Sequence, residues 1–290
     1  MSRPRVVCEV LSMRRSGFLV LALLGWAAPA AADPMPTAYN LHYQAISLGF
    51  AIMQMDVSVR IFPSTYDIAV SYHTTGLARF LYPGQESEQV SGVWEGDRAA
   101  PRQYLASGEW RGRPRRADIV YRSGQPEILE LLPPDTNERE PVPRALQRGT
   151  EDTLSALVQL LGHVERNGSC NTTARIFDGR RLSEIDASTM GLESVGRGPR
   201  AVFGGTALRC DFVGRMLAGF VLNRPHTTPG RAHYGSAWFA PLQPGGPALP
   251  VRISFGTDWF GNVTMVLTAA TPREPTLAQA SSSRGTGLPQ

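Results

Sequence analysis

Met53-Gln54-Met55-Asp56-Val57-Ser58-Val59-Arg60-Ile61 alternates apolar and polar residues without a break. A β-strand turns successive side chains to opposite faces, so this run makes one greasy face and one wet face. Upstream, Tyr39, Leu41, Tyr43 and Ala45 alternate with Asn40, His42 and Gln44; downstream, Tyr66, Ile68, Val70 and Tyr72 repeat the period. The link Phe62-Pro63-Ser64-Thr65 is short enough for a hairpin. Three consecutive runs of period two predict half-buried antiparallel strands.

Further strand signals fall at residues 90–94, 103–110, 117–121, 173–177, 181–187 and 201–213, at Phe220, and from Trp238. Val251, Ile253 and Phe255, then Val263, Met265 and Leu267, alternate on either side of Asp258-Trp259-Phe260-Gly261-Asn262, which predicts a closing hairpin. Nine or more strands rarely stay open and flat. The fold class expected is mainly β: an antiparallel meander curled into a partial or full barrel. One main amphipathic helix is predicted at about 150–162, because Leu154, Leu157, Val158 and Leu161 fall at i, i+3, i+4 and i+7. Thr150 is its expected N-cap, and Gly162 or Gly168 marks its end. Leu77, Phe80 and Leu81 suggest a short helical turn before Pro83-Gly84, and residues 133–149 read as a proline-rich, charged loop.

The chain has three cysteines, Cys8, Cys170 and Cys210. Residues 1–32 read as a cleavable export signal: Met13-Arg14-Arg15 is the positive region, residues 18–26 the short apolar run, and Ala30-Ala31-Ala32 the small-residue cleavage pattern. Met13 is an alternative start. Arg14-Arg15 raises a twin-arginine route, although the rest of that pattern is poor. The apolar run is too short to span a bilayer, and no later segment provides a transmembrane anchor. Export would remove Cys8 and leave two cysteines, which most simply form one bridge, Cys170–Cys210. Two buried free thiols are the alternative. Neither cysteine lies in a CxxC pair or at ligand spacing from a histidine, which argues against a metal site.

The domain plan expected is a signal peptide at 1–32, a single β-rich domain at 36–270 and a disordered tail at 271–290. Removing Arg3, Arg5, Arg14, Arg15 and Glu9 with the signal leaves 25 basic against 24 acidic residues. A nucleic-acid partner thereby loses its electrostatic support. All 29 basic residues are arginine, which fits a GC-rich genome better than a binding function.

No GxSxG, HExxH, Walker A or EF-hand pattern occurs. Gly196-Arg197-Gly198-Pro199-Arg200-Ala201 nominally fits a dinucleotide fingerprint but opens no predicted helix. The segment Arg111-Gly112-Arg113-Pro114-Arg115-Arg116 reads as a solvated loop between strands, in preference to a grip on phosphate or an acidic polymer. Asp178-Gly179, flanked by strand residues, reads as a type I′ hairpin turn, in preference to a catalytic role for Asp178. Glu86 and Glu88 share a strand face and are read as surface carboxylates rather than an acid–base pair. His226 and His233 are seven residues apart in a loop-like stretch, a weak case for metal. No catalytic, cofactor-binding or metal-ligating residue is assigned, and no cofactor is expected.

Several segments together resemble the exported bacterial family known as domain of unknown function 3108. They are Tyr39-Asn40-Leu41-His42-Tyr43, Thr74-Thr75-Gly76-Leu77, Asp152-Thr153-Leu154-Ser155-Ala156-Leu157, Cys170, Phe177-Asp178-Gly179-Arg180-Arg181, Cys210, Gly219-Phe220 and Leu249-Pro250-Val251-Arg252-Ile253. The resemblance implies a β-rich envelope protein and carries over no activity and no catalytic residue.

The function expected is a non-enzymatic periplasmic protein of a bacterium that binds a lipid, another apolar ligand or an envelope component. Met53, Met55, Tyr66, Tyr72, Trp94, Trp110, Trp238 and Trp259 are the candidates to line its cavity, against the plainer reading of a packed core. The alternatives are a carboxylate-dependent hydrolase or glycan-modifying enzyme, and a structural partner of an envelope complex. The sequence gives no oligomeric state.

Overall fold

Among the described residues, thirteen strands form one antiparallel sheet. The computed structural model describes residues 37–134, 138–223, 232–257 and 260–273. The expected signal segment, Trp259, His226 and most of the expected tail lie outside the described residues.

The strands are β1 (Thr37–Ser47), β2 (Phe50–Ile61), β3 (Thr65–Thr74), β4 (Gly84–Glu95), β5 (Arg98–Trp110), β6 (Arg113–Arg122), β7 (Gln125–Leu132), β8 (Thr172–Phe177), β9 (Leu182–Val195), β10 (Gly205–Ala218), β11 (His233–Ala240), β12 (Leu249–Thr257) and β13 (Gly261–Pro272). Their spatial order is β7-β6-β5-β4-β3-β2-β1-β13-β12-β11-β10-β9-β8. Every strand pairs with its chain neighbour except at one seam, where β1 lies against β13, and at one break, between β7 and β8.

The sheet is curled but not closed, so of the two shapes expected it adopts the partial barrel. Its two edges nevertheless meet. A Cβ on Gly179, in the β8–β9 turn, would stand 3.1 Å from Leu131 Cδ1 on β7. Arg180 Nη2 donates to the carbonyls of Leu132 and Pro133, at 2.6 and 2.8 Å. The strap before the main helix covers the β8 edge: Glu151 N–H donates to Arg175 O at 2.9 Å, and Phe177 N–H donates to Glu151 O at 2.8 Å. These contacts take up edge groups of Arg175 and Phe177 on β8 and the Leu132 carbonyl at the end of β7, which would otherwise be open to another chain.

Among the described residues three helices interrupt the meander: α1 (Gly76–Leu81), α2 (Arg144–Gln147) and α3 (Thr153–Asn167). The expected helix at about 150–162 is α3, displaced toward the C-terminus. Its N-cap is Asp152 and not Thr150: one Asp152 oxygen accepts from Leu154 N–H and Ser155 N–H, both at 2.9 Å. A carboxylate satisfies two orphan amides at the positive end of the helix, which a hydroxyl two residues earlier cannot reach. Gly168 ends the helix at φ 59°, while Gly162 lies inside it, where a Cβ would fall 2.7 Å from the Trp94 ring.

The hairpins also differ in detail. The type I′ turn expected at Asp178-Gly179 is absent, since only Gly179 has positive φ; Asp178 instead accepts from the Arg180 and Arg181 amides at 2.9 and 2.7 Å. Paired positive φ occurs at Leu48-Gly49, Arg111-Gly112 and Ser123-Gly124, which close the β1–β2, β5–β6 and β6–β7 hairpins. The expected loop over 111–116 is therefore a two-residue turn, and Arg113 to Arg116 belong to β6. β13 runs through Pro272, two residues into the stretch expected to be tail.

The core follows the alternation. Leu41, Tyr43, Val57, Val59, Tyr66, Ile68 and Val70 are buried, and Leu154 and Val158 of α3 pack into the same cluster. Fully burying such side chains stabilises by about 1.5–3 kcal/mol each. The helix is tied in by polar contacts too: Tyr66 Oη lies 2.8 Å from Ser155 Oγ, and Gln159 Oε1 accepts from Ala99 N–H at 3.1 Å.

Candidate functional site

Helix α3 packs against β3, β4 and β5 on one side and β8 on the other. It does not fill the space over the middle of the sheet. A cavity of about 470 Å³ remains between Leu154, Leu157 and Leu161 of the helix and the inward side chains of the strands. Met55, Val57, Val59, Ile68 and Val70 line one wall; Phe212, Ile253, Phe255 and Met265 line the other. Such a volume with an apolar lining is typical of small-molecule sites. The cavity reaches the end of the sheet where Gly256, His233 and Tyr234 lie, and Tyr234 is 68% exposed.

A second pocket of about 580 Å³ lies at the same end and is polar. Its floor is the inward row of β4 to β6, including Glu86, Glu88, Tyr104 and Arg115; its roof is the β8–β9 turn with Asp178, Arg180 and Arg181, and Arg139 of the preceding strap. Arg115 forms a two-pronged pair with Glu138, both contacts at 3.2 Å. Arg139 donates to Gly219 O at 2.8 Å. Gly219 lies close against the turn: a Cβ there would stand 2.1 Å from Arg180 O. Asp178 holds Arg181 through its second oxygen, with Nε at 2.7 Å. Among the described residues Arg180 donates to carbonyls, and its Nε is buried without a hydrogen-bond partner.

Tyr72, Glu88 and Thr153 line both spaces. The apolar cavity and the polar pocket therefore adjoin, with the Glu88 carboxyl at the boundary between them. Glu88 accepts from Tyr104 Oη at 3.0 Å, and Glu86 accepts from Tyr72 Oη. Burial, then the neighbouring Glu86 charge, pushes the Glu88 carboxyl up to about 7. Burial raises the Tyr104 hydroxyl far above its ordinary range, and the Glu88 charge adds to it. Asp178 goes the other way. Burial opposes its charge, but the Arg181 guanidinium and the two turn amides hold it below the usual carboxylate range.

These positions revise the residue readings. Glu86 and Glu88 face the concave interior, not the surface; the alternation of β4 starts at Gly84, so its inward row is Gly84, Glu86, Glu88, Val90 and Gly92. Of the aromatic and methionine candidates, Met55 and Tyr72 line the apolar cavity and Trp110 the polar pocket. Tyr66 and Trp94 pack against each other, centroids 5.8 Å apart, and Trp238 lies beneath Arg209 and Arg252 at 5.6 and 5.4 Å. His42 is on the outer face beside Asp56. His233 opens β11 at the cavity mouth. Cys170, after α3, and Cys210, on β10, are fully buried with sulfurs at disulfide distance and Cα atoms 5.8 Å apart.

Sequence reasoning missed Tyr104, Arg115, Arg139, Leu157 and Phe212 as lining residues. The inward parity of β5, β6 and β10 was the available signal for three of them.

No curated protein matches the chain in sequence. Among solved structures, a β-barrel-like protein of domain of unknown function DUF1849 from Brucella abortus aligns at TM-score 0.49 and 10% identity, over 82% of this chain and 98% of that one. A protein with a YmcC-like fold from Bacteroides fragilis aligns at TM-score 0.30 and 11% identity, over 82% and 97%. In sequence, residues 38–268 match the family described as Protein of unknown function (DUF3108), and the chain belongs to that family.

Proposed function

We propose that this is an exported periplasmic protein that carries an amphiphile, its apolar part held between α3 and the concave sheet and its polar end in the adjoining pocket. The observation that carries the reading is the adjacency of the two spaces, which share Tyr72, Glu88 and Thr153 in their linings. An apolar cavity alone is a packing defect or a site for a hydrocarbon. One that adjoins a chamber of arginines and carboxyls suits a molecule with a head and a tail. The signal pattern at 1–32 and a buried cysteine pair at disulfide distance support export into an oxidising compartment. Native mass spectrometry of protein gently purified from its own host tests this, expecting a co-purifying lipid. A clean apo mass, with no uptake of a fluorescent fatty acid, overturns it.

One observation favours a second reading. Glu88, pushed up to about 7 beside Glu86 and two tyrosines, is poised as an acid–base group. An envelope hydrolase would lose turnover of envelope glycans or esters on Glu88→Gln. A carrier would keep its ligand.

A further inference from the structure

Five large apolar side chains stand exposed at one end of the sheet: Leu48 (92%), Phe50, Leu77, Phe80 (84%) and Leu81. They come from two segments, the β1–β2 turn and α1, which are in contact. Thr75 N–H donates to Ile52 O at 2.9 Å, and a Cβ on Gly76 would stand 3.1 Å from Ala51 O. The patch continues along the rim: the Tyr82 ring packs on Phe260 at 5.3 Å, and Arg111 N–H donates to Pro83 O. This is the cavity's end of the molecule. β3 passes from Tyr72, in the cavity wall, to Thr74 and directly into α1, while the cavity's upper lip at Gly256 leads to the β12–β13 turn.

We infer that this rim inserts into the surface of an anionic lipid bilayer and places the cavity mouth against it. Exposed apolar patches of this kind are uncommon on soluble monomers. Three features favour lipid over a protein partner. The apolar groups crown protruding tips, one hairpin and one short helix, rather than a flat face. Residues 46–55 and 74–84 contain no Asp or Glu, and Arg79, on α1, with Arg111 and Arg113, at the β5–β6 turn next to Tyr82, outnumber Glu109 on the facing end of β5 and Asp258, which precedes Phe260 in the sequence. The apolar set includes Phe50 and Phe80 with Tyr82 nearby, and aromatic plus arginine composition suits the headgroup–acyl boundary. The inference rests on the carrier reading for its purpose, but the contact itself does not.

The test is flotation of the mature full chain with vesicles of phosphatidylethanolamine and phosphatidylglycerol, and with phosphatidylcholine alone. Binding to the anionic vesicles is expected, falling in about 0.5 M salt. The double variant Leu48→Ser/Phe80→Ser should weaken it by about tenfold or more, and Arg79→Gln should weaken anionic binding only. These positions are exposed, so unchanged circular dichroism is expected alongside. Leu157→Trp, which fills the cavity, should float like wild type while losing fatty-acid uptake. If the rim variants take up a soluble fatty acid normally but no longer extract one from vesicles, the contact and the carrier reading stand together. If wild type floats yet takes up nothing, the contact stands and the carrier reading falls. Failure of wild type to float, flotation unaffected by the rim variants, or a wild-type dimer that the double variant makes monomeric without any vesicle binding overturns the inference.

Discussion

Tyr104 Oη on β5 donates to Glu88 Oε2 on β4 across 3.0 Å, and this pair stands where the polar pocket adjoins the apolar cavity. Burial is the largest cause of the raised Glu88 pKa, with the Glu86 charge next; the tyrosine bond opposes both. A protonated Glu88 removes one charge from the boundary between the apolar cavity and the polar pocket. An ionised one restores it.

Stability should fall as pH rises through this range. Glu88 is raised to about 7 and Glu151 to about 8, both mainly by burial, so the folded chain holds protons that the unfolded chain releases near 4.5. Each contribution is fully present below the unfolded pKa and is lost as pH rises through the folded one. Asp178, whose pKa is lowered, acts with the opposite sign and only at more acidic pH. Urea unfolding should therefore show lower stability at about pH 8 than at about pH 5.5. Glu88→Gln should flatten that slope without abolishing folding. An unchanged slope in the variant would place the titration elsewhere.

Asp152 separates capping from charge. It is fully buried, accepts from two helix amides, and lies 2.6 Å from Ser155 Oγ, which in turn touches Tyr66. Burial raises it to about 6 despite those bonds. Asp152→Asn keeps an acceptor for the amides and should cost little. Asp152→Ala leaves the helix start and Ser155 without a buried partner and should cost about 1–3 kcal/mol. Paired chemical denaturation of the two variants reads the difference; equal losses would mean that the cap contributes nothing.

We expect Cys170 and Cys210 to be bonded in the exported protein. Their closed loop joins the end of α3 to β10 around Leu161, Val164, Ala187 and Phe239. In the chain-entropy model, closing a loop of this length contributes about 4 kcal/mol. The mature protein should resist alkylation until reduced, and Cys210→Ser should lower the melting temperature by roughly 10 °C. Labelling of both thiols in the unreduced native protein would refute the bond.

The alternation at Met53 to Ile61 was enough to place the sheet, because period two has one structural reading when it recurs in consecutive runs. β7 was not legible: Ile128, Leu129, Leu131 and Leu132 break the alternation, since an edge strand with a bulge opposite Asp118/Ile119 has no strict inside and outside. Curvature was legible only as an expectation from strand number. Its stopping point depends on Arg180 and Gly179 meeting β7, a contact between residues about 48 positions apart that no local pattern encodes. The site was less legible than the fold. Glu88 looked like a surface carboxylate because polar residues on a strand normally mark the wet face. On β4 the rule inverts where the inward row enters a polar chamber.

Leu157 decides whether the space beside α3 is a site or a gap. It falls on the apolar stripe predicted for the helix, yet it is only partly buried and lines the cavity, while Val158 next to it is fully buried in the core. A packing gap should gain from filling, and a ligand site should lose its ligand. Leu157→Trp adds volume on the side of the helix facing the void rather than the side docked on β3 to β5. If the cavity holds an acyl chain, the variant should fold with near-native stability and lose binding of a fluorescent fatty acid by about tenfold or more. Val158→Phe enlarges a side chain fully buried in the core and outside the cavity lining, and should cost about 1–3 kcal/mol by overpacking. Titrating the probe against both variants, with denaturation curves alongside, separates the two roles. Unimpaired binding in a folded Leu157→Trp protein would remove this cavity as the place where a ligand is held.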